Sequence, residues 1–336
     1  MKEKLAVVVT SISKPNDVLE ALADGCRKRG HQFIVVGDRA SPPDFQLAGC
    51  EFYGLDEQRE TGFKFAQLCP EKHYARKNIG YLLAIRDGAT ILAETDDDNI
   101  PYEEFWAERK RAQRAQVIQK SGWVNVYRYF SDKNIWPRGL PLDQVLADLP
   151  AFEALKPEEK TCPIQQGLAD DNPDVDAIYR LVMPLPQFFR KDRSVILAEG
   201  AWCPFNSQNT TWWPEAFALL YLPAYCSFRM TDIWRSFVAQ RVAWEYKWPI
   251  LFHAPTVWQK RNDHNLMRDF KDEVPGYLNN SALCEALMGL KLSNEQSRIG
   301  ENLRLCYEKL VSLGLVDGKE LELVDAWLSD LRLASR

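Results

Sequence analysis

Two buried strands with a helix between them, all inside the first forty residues, limit what the rest of the chain can become. Residues 5–12 (LAVVVTSI) are a nearly unbroken apolar run, the pattern of a strand covered on both faces. Pro15 stands near a helix start, Val18, Leu19, Leu22 and Cys26 share one helical face, and Gly30 ends the helix. Residues 32–37 (QFIVVG) supply the second buried strand. Strands joined this way lie parallel with a right-handed crossover, so the expected class is α/β. Ligands of such sheets gather outside the carboxyl ends of the strands, where Thr10, Ser11 and Asp38 fall.

A second constraint lies at 90–101 (TILAETDDDNIP). A short apolar strand runs into three adjacent carboxylates, Asp96, Asp97 and Asp98, and then into Asn99 and a proline. Like charges side by side repel, so water or a cation must neutralise them. A solvated acidic turn satisfies that condition. So does a site for Mg²⁺ or Mn²⁺, hard ions that take one or two carboxylates together with substrate phosphates. Just upstream, residues 71–87 read as a helix ending at Gly88, with Arg76 and Lys77 near its middle. Two readings are open there: a solvated helix face, or a cationic contact to a diphosphate.

Neither G-x-G-x-x-G nor G-x-x-x-x-G-K-[ST] occurs, so the dinucleotide and P-loop fingerprints are absent. The 336 residues suffice for one large domain or two modest ones. A net charge of −5 argues against a general nucleic-acid binder. The longest apolar run, 217–228, is too short to span a bilayer and contains Pro223. The N-terminus reads as a first strand rather than a signal peptide. The eight cysteines form no C-x-x-C pair, which suits reduced thiols in a cytoplasmic protein.

Further along, 102–120 reads as a charged helix, 123–130 as a strand and 134–144 as a loop. Residues 163–181 read as a turn entering a short helix, with Asp170, Asp171 and Asp174 around Asn172-Pro173. A strand at 194–200 precedes an aromatic, polar loop at 201–213, composed for carbohydrate contact or for plain packing. A helix spans 229–248 with Thr231 as N-cap and Asp232 in its first turn, where the helix dipole favours a carboxylate. A late strand at 250–258 leads into a polar loop ending at His264. Residues 1–280 then form the main domain and 281–336 a helical appendage that packs on it or pairs with a second copy. Ser293 and Gln296 mark its first helix start as a capping box.

The segments ETDDDNIP, DDNPDVDAIYRL (170–181), FRMTDIWRSFVAQ (228–240) and QKRNDHNLMRDF (259–270) resemble the STELLO-type glycosyltransferases. More distantly, the acidic triplet and NPDVDAIYR are similar to the reversibly glycosylated polypeptides, which are UDP-arabinose mutases. The resemblance implies a GT-A-like fold with a mixed, mainly parallel sheet, and a metal-dependent transfer of sugar from a nucleoside diphosphate. UDP is the implied carrier and a glycan hydroxyl the implied acceptor. By the same resemblance Asp96, Asp98 and His264 would hold Mn²⁺ or Mg²⁺, and Asp97 the ribose or the metal's waters. Thr10, Ser11 and Asp38 would hold the nucleoside, and Arg76 with Lys77 the diphosphate. Asp232 would be the base, with Asp170, Asp171 and Asp174 as second choices; a retaining enzyme would need none. A mutase working on one nucleotide sugar, for which Arg180 becomes the residue of interest, and a non-catalytic nucleotide-sugar-binding or scaffold protein are the alternatives.

Overall fold

A computed structural model describes residues 3–261 and 265–335. The N-terminal run is β1 (Leu5–Thr10), α1 (Asp17–Arg29) and β2 (Gln32–Val36), with both strands paired parallel. Helix α1 starts where the Asn16 side chain accepts from Leu19 N and stops at Gly30, whose φ of 69° is the left-handed cap a glycine supplies without strain. After β3 (Glu51–Tyr53) come α2 (Leu55–Glu60), α3 (Lys64–Leu68) and α4 (Lys77–Arg86). The strand β4 (Ile91–Thr95) delivers the acidic triplet, followed by β5 (Asn99–Pro101). Next are β6 (Ala112–Ile118), β7 (Gly122–Trp123), α5 (Tyr127–Phe130), β8 (Lys156–Thr161) and β9 (Ile164–Asp170). Then follow α6 (Ala177–Val182), β10 (Ser194–Leu197), β11 (Ala201–Trp202), β12 (Asn209–Trp212) and α7 (Thr231–Glu245). The chain closes with β13 (Ile250–Gln259), α8 (Leu266–Met288), α9 (Ile299–Ser312) and α10 (Glu320–Ala334).

Eleven strands form one mixed α/β sheet in the order β3-β2-β1-β4-β12-β9-β13-β10-β6-β8, with β5 added along β13. The first four are parallel, and β12 then enters antiparallel between β4 and β9. Alternation along the strands divides the core. Leu5, Val7 and Val9 pack with Val18, Leu19 and Leu22 of α1 on one face. Ala6 and Val8 pack with Ile79 and Leu83 of α4, and with Phe237 of α7, on the other.

Several local expectations change, among them the turn expected from residue 163, where β9 runs instead. Residues 102–120 are not a helix: a short 3-10 turn at Glu103–Trp106 leads into β6. Its Ala, Gln and Arg residues favour helix in isolation, but pairing with β8 on one side and β10 on the other overrides that preference. Residues 123–130 are a two-residue strand end and the single turn α5. The loop expected at 201–213 contains β12, whose Asn209, Thr210 and Thr211 are buried in mid-sheet.

The C-terminal helices are present and share the larger core, through Leu303, Cys306, Tyr307 and Trp327. Buried Glu320 accepts from Ala224 N and Tyr225 N, and Asp330 accepts from Phe65 N, so α10 is bonded to the main body. The boundary drawn after residue 280 falls inside α8. Among the described residues no helix is long and apolar enough to cross a membrane.

Candidate functional site

The carboxyl ends of β1, β2 and β4 open into a cavity of about 890 Å³. Thr10, Ser11, Asp38 and the whole triplet line it, together with Arg138, Asp174, Arg229, Asp232 and Arg261. Six carboxylates, of Asp38, Asp96, Asp97, Asp98, Asp174 and Asp232, therefore share one space with several cations.

The three members of the triplet are held differently. Asp96 Oδ1 accepts from Tyr74 Oη at 2.7 Å and from Lys77 Nζ at 2.9 Å. Lys77 is fully buried and also donates to the carbonyls of Thr95 and Ser207, so its ammonium sits behind the strand end rather than in solvent. Asp97 Oδ2 accepts from Ser11 Oγ at 2.5 Å, while burial pushes its carboxyl above the ordinary range. Asp98 Oδ2 accepts from Gln259 Nε2 at 2.9 Å, but its buried Oδ1 has no partner. Burial first, then the charges of Asp96 and Asp97, push Asp98 up to about 7.

That donor set fits a hard divalent cation. Two carboxylates, one with an unbonded buried oxygen, are what Mg²⁺ or Mn²⁺ uses when substrate phosphates and water complete its shell. Among the described residues no three His, Cys, Asp or Glu side chains group closely enough to cage an ion by themselves. His264 lies outside the described residues.

Other expected site residues are placed as follows. Asp38 lines the cavity, yet its oxygens accept from the backbone N–H groups of Arg39, Lys72 and His73, tying the turn after β2 to the loop before α4. Arg76 also borders the cavity, with its guanidinium turned inward to Gln58 Oε1 and the carbonyl of Cys69. Asp170 accepts from Tyr102 Oη and Phe189 N, and Asp171 pairs through its backbone with Gln187. Neither is part of the cavity wall. Thr231 is the first residue of α7, preceded by Met230, rather than its N-cap.

Asp174 and Asp232 meet on a residue that sequence did not single out. Buried Arg138 reaches both oxygens of Asp174 at 2.8 Å and both of Asp232 at 3.0 and 2.8 Å. Burial works against the charge on Asp174, but the guanidinium prevails and holds the carboxyl at about 2. Arg138 takes this place because Gly139 follows it with φ 89°; a Cβ there would lie 2.4 Å from Ile233. A lone Pro-Arg-Gly in a loop was the only signal. Arg229, Arg261 and Phe228 were missed in the same way, since separate loops bring them in.

The molecule is thus an α/β protein built on a mixed sheet, with an acid-rich cavity at the carboxyl ends of its parallel strands. The sequence is similar to that of the STELLO-type glycosyltransferases. Residues 229–335 match the model of "STELLO glycosyltransferases". The chain is 29% identical to "Probable glycosyltransferase STELLO1" of Arabidopsis thaliana and 30% identical to "Probable glycosyltransferase STELLO2" of the same plant, over 96% of its own length. It spans 44% of the length of either relative. Among solved structures, a "Crystal Structure of a Mycobacterial Protein" overlays on 94% of the chain and 77% of its own, at a TM-score of 0.39 and 11% identity, too little to carry an argument.

Proposed function

We propose that the cavity binds a nucleoside diphosphate sugar, UDP-linked, and transfers its sugar to the hydroxyl of a glycan in a GT-A manner. The observation that carries this reading is the unbonded, buried Oδ1 of Asp98 beside Asp96 and Asp97. Glycosyl transfer requires the departing diphosphate's charge to be neutralised, and Mn²⁺ or Mg²⁺ held by Asp96 and Asp98 would supply that. Lys77 and Tyr74 fix the Asp96 carboxylate in place, so one metal-facing group is oriented before substrate arrives. Ser11 and Asp97, already hydrogen-bonded to each other, present the polar edge at which a ribose would dock. Asp232, gripped by Arg138, is aligned to accept the acceptor hydroxyl's hydrogen bond as the base.

Thermal denaturation against a panel of nucleoside diphosphate sugars, each with and without Mn²⁺, tests this reading. The right donor at a hundredfold excess over its dissociation constant stabilises by about 2.7 kcal/mol, only with metal present, and loses that effect in Asp98→Asn. A panel with no metal-dependent response, or an Asp98→Asn response equal to wild type, ends it.

A further inference from the structure

An apolar ridge stands out at the same edge of the sheet as the cavity. Strands β4 and β9 both pair antiparallel with β12, so they point the same way and end at one edge. Just after β9, the backbones of Asp171 and Gln187 exchange hydrogen bonds of 2.8 and 2.9 Å, which closes residues 172–186 into a loop there. The loop carries α6, and its second half leads into the apolar run LVMPLPQFF at 181–189. Only part of that run turns inward. Met183 and Leu185 pack on the core, and Phe189 is buried against Tyr127 at a ring separation of 5.0 Å. Leu181, Val182 and Phe188 project instead, 46%, 68% and 60% exposed, with Pro184 and Pro186 exposed between them.

The charge beside this ridge is mainly positive. The chain as a whole carries −5, yet residues 177–191 hold Arg180, Arg190 and Lys191 and no acid. Arg180 is turned inward to Asn172 and the Pro173 carbonyl, so the exposed bases are Arg190 and Lys191. The Lys191 ammonium lies 4.0 Å from the centre of the Tyr102 ring. Helix α8 packs along α6, bonded to it where Glu273 accepts from Ala177 N. It adds Met267 and Leu278, both exposed, with the exposed bases Arg268 and Lys271 between them. Of the nearby acids, Asp132 is shared with Arg190 and Asp272 with Arg268, while Asp192 follows Lys191.

A ridge of projecting side chains enters a partner; it is not a groove that receives one. A second copy in a two-fold contact would set the ridge against itself, base facing base. An anionic bilayer meets both features at once. Apolar side chains enter the boundary between headgroups and acyl chains, and the lysines and arginines beside them meet lipid phosphates.

We propose that the ridge formed by Leu181, Val182 and Phe188 docks this protein on an anionic lipid surface. The contact is interfacial, made by a loop and its flanking bases and not by a spanning segment. It brings the cavity's edge of the sheet toward the lipid. The docking does not depend on the glycosyltransferase reading.

Sedimentation of the full chain with vesicles tests the proposal, using phosphatidylcholine alone and phosphatidylcholine mixed with phosphatidylglycerol. Wild type sediments with the mixed vesicles, and stays in solution with phosphatidylcholine alone. Phe188→Ser weakens binding to the mixed vesicles about tenfold by removing apolar area from the interface. Arg190→Gln combined with Lys191→Gln weakens it roughly twentyfold, each base near the surface contributing about fivefold. All three side chains are exposed, so the melting curves of these variants match that of wild type. Wild type that stays in solution with the mixed vesicles, or either variant binding them as tightly as wild type, overturns the proposal. So does a wild-type dimer that Phe188→Ser dissociates, because a second copy would then cover the ridge.

Discussion

Glu94 and Asp98 lie four residues apart at the end of one strand, both buried, and the protein treats them in opposite ways. Glu94 accepts from Arg235 Nη1 with both oxygens, from Trp212 Nε1 at 2.8 Å and from the Tyr81 hydroxyl. Asp98 has one hydrogen bond and one buried oxygen without any. Burial does not separate scaffold from site here, since both side chains are in the interior. Satisfaction separates them: a carboxylate with every lone pair engaged fixes neighbouring elements, whereas one left short is unstable until something else arrives.

The largest effect that would sharpen this contrast is on the scaffold side. Arg235→Met leaves Glu94 charged and buried without its cation, and urea denaturation is expected to show a loss of roughly 3–5 kcal/mol. The double variant Arg235→Met with Glu94→Gln recovers most of that loss, because no uncompensated charge remains. A single variant as stable as wild type would break the comparison. On the site side the expectation reverses. Asp98→Asn keeps the fold at least as stable, yet lowers turnover on the order of 100-fold, the size associated with losing one charged contact in the transition state. Steady-state kinetics and a melting curve on the same sample would check both halves.

The parts of this design that sequence made legible are those encoded within one turn or strand. The β1–α1–β2 unit follows from apolar runs and a glycine stop, and the triplet from charge at a strand end. Strands β9 and β12 escaped because their inward positions carry amides and hydroxyls. Gln166 bonds Asn206 and Thr210, a polar core that looks like a loop until the partner strand is known. Lys77 illustrates the same limit. Its charge suggested a phosphate contact, but two carbonyls, a tyrosine and Asp96 surround it once α4 is packed. The arginines of the cavity wall were illegible for a simpler reason, since Arg138, Arg229 and Arg261 come from three stretches that only the folded sheet brings together.

The smallest expected effect is a pH dependence that tests how far Asp98 is held from its ordinary ionisation. Its folded carboxyl stands at about 7 against 3.8 when exposed, so between those values the folded state binds the extra proton. Stability of the metal-free protein then falls as pH rises from about 4 through 7. Other buried carboxyls act in the same direction, Asp176 at about 6 among them, so wild type alone does not isolate the effect of Asp98. The difference between wild type and Asp98→Asn can, because asparagine removes this titration and leaves the others. Urea melts at pH 5.5 and pH 8 should therefore show the wild type losing roughly 1–2 kcal/mol more than Asp98→Asn over that interval. Parallel losses in the two proteins would mean that Asp98 ionises as an ordinary surface carboxylate, and that its unbonded oxygen sets it apart from Glu94 in no way that stability can read.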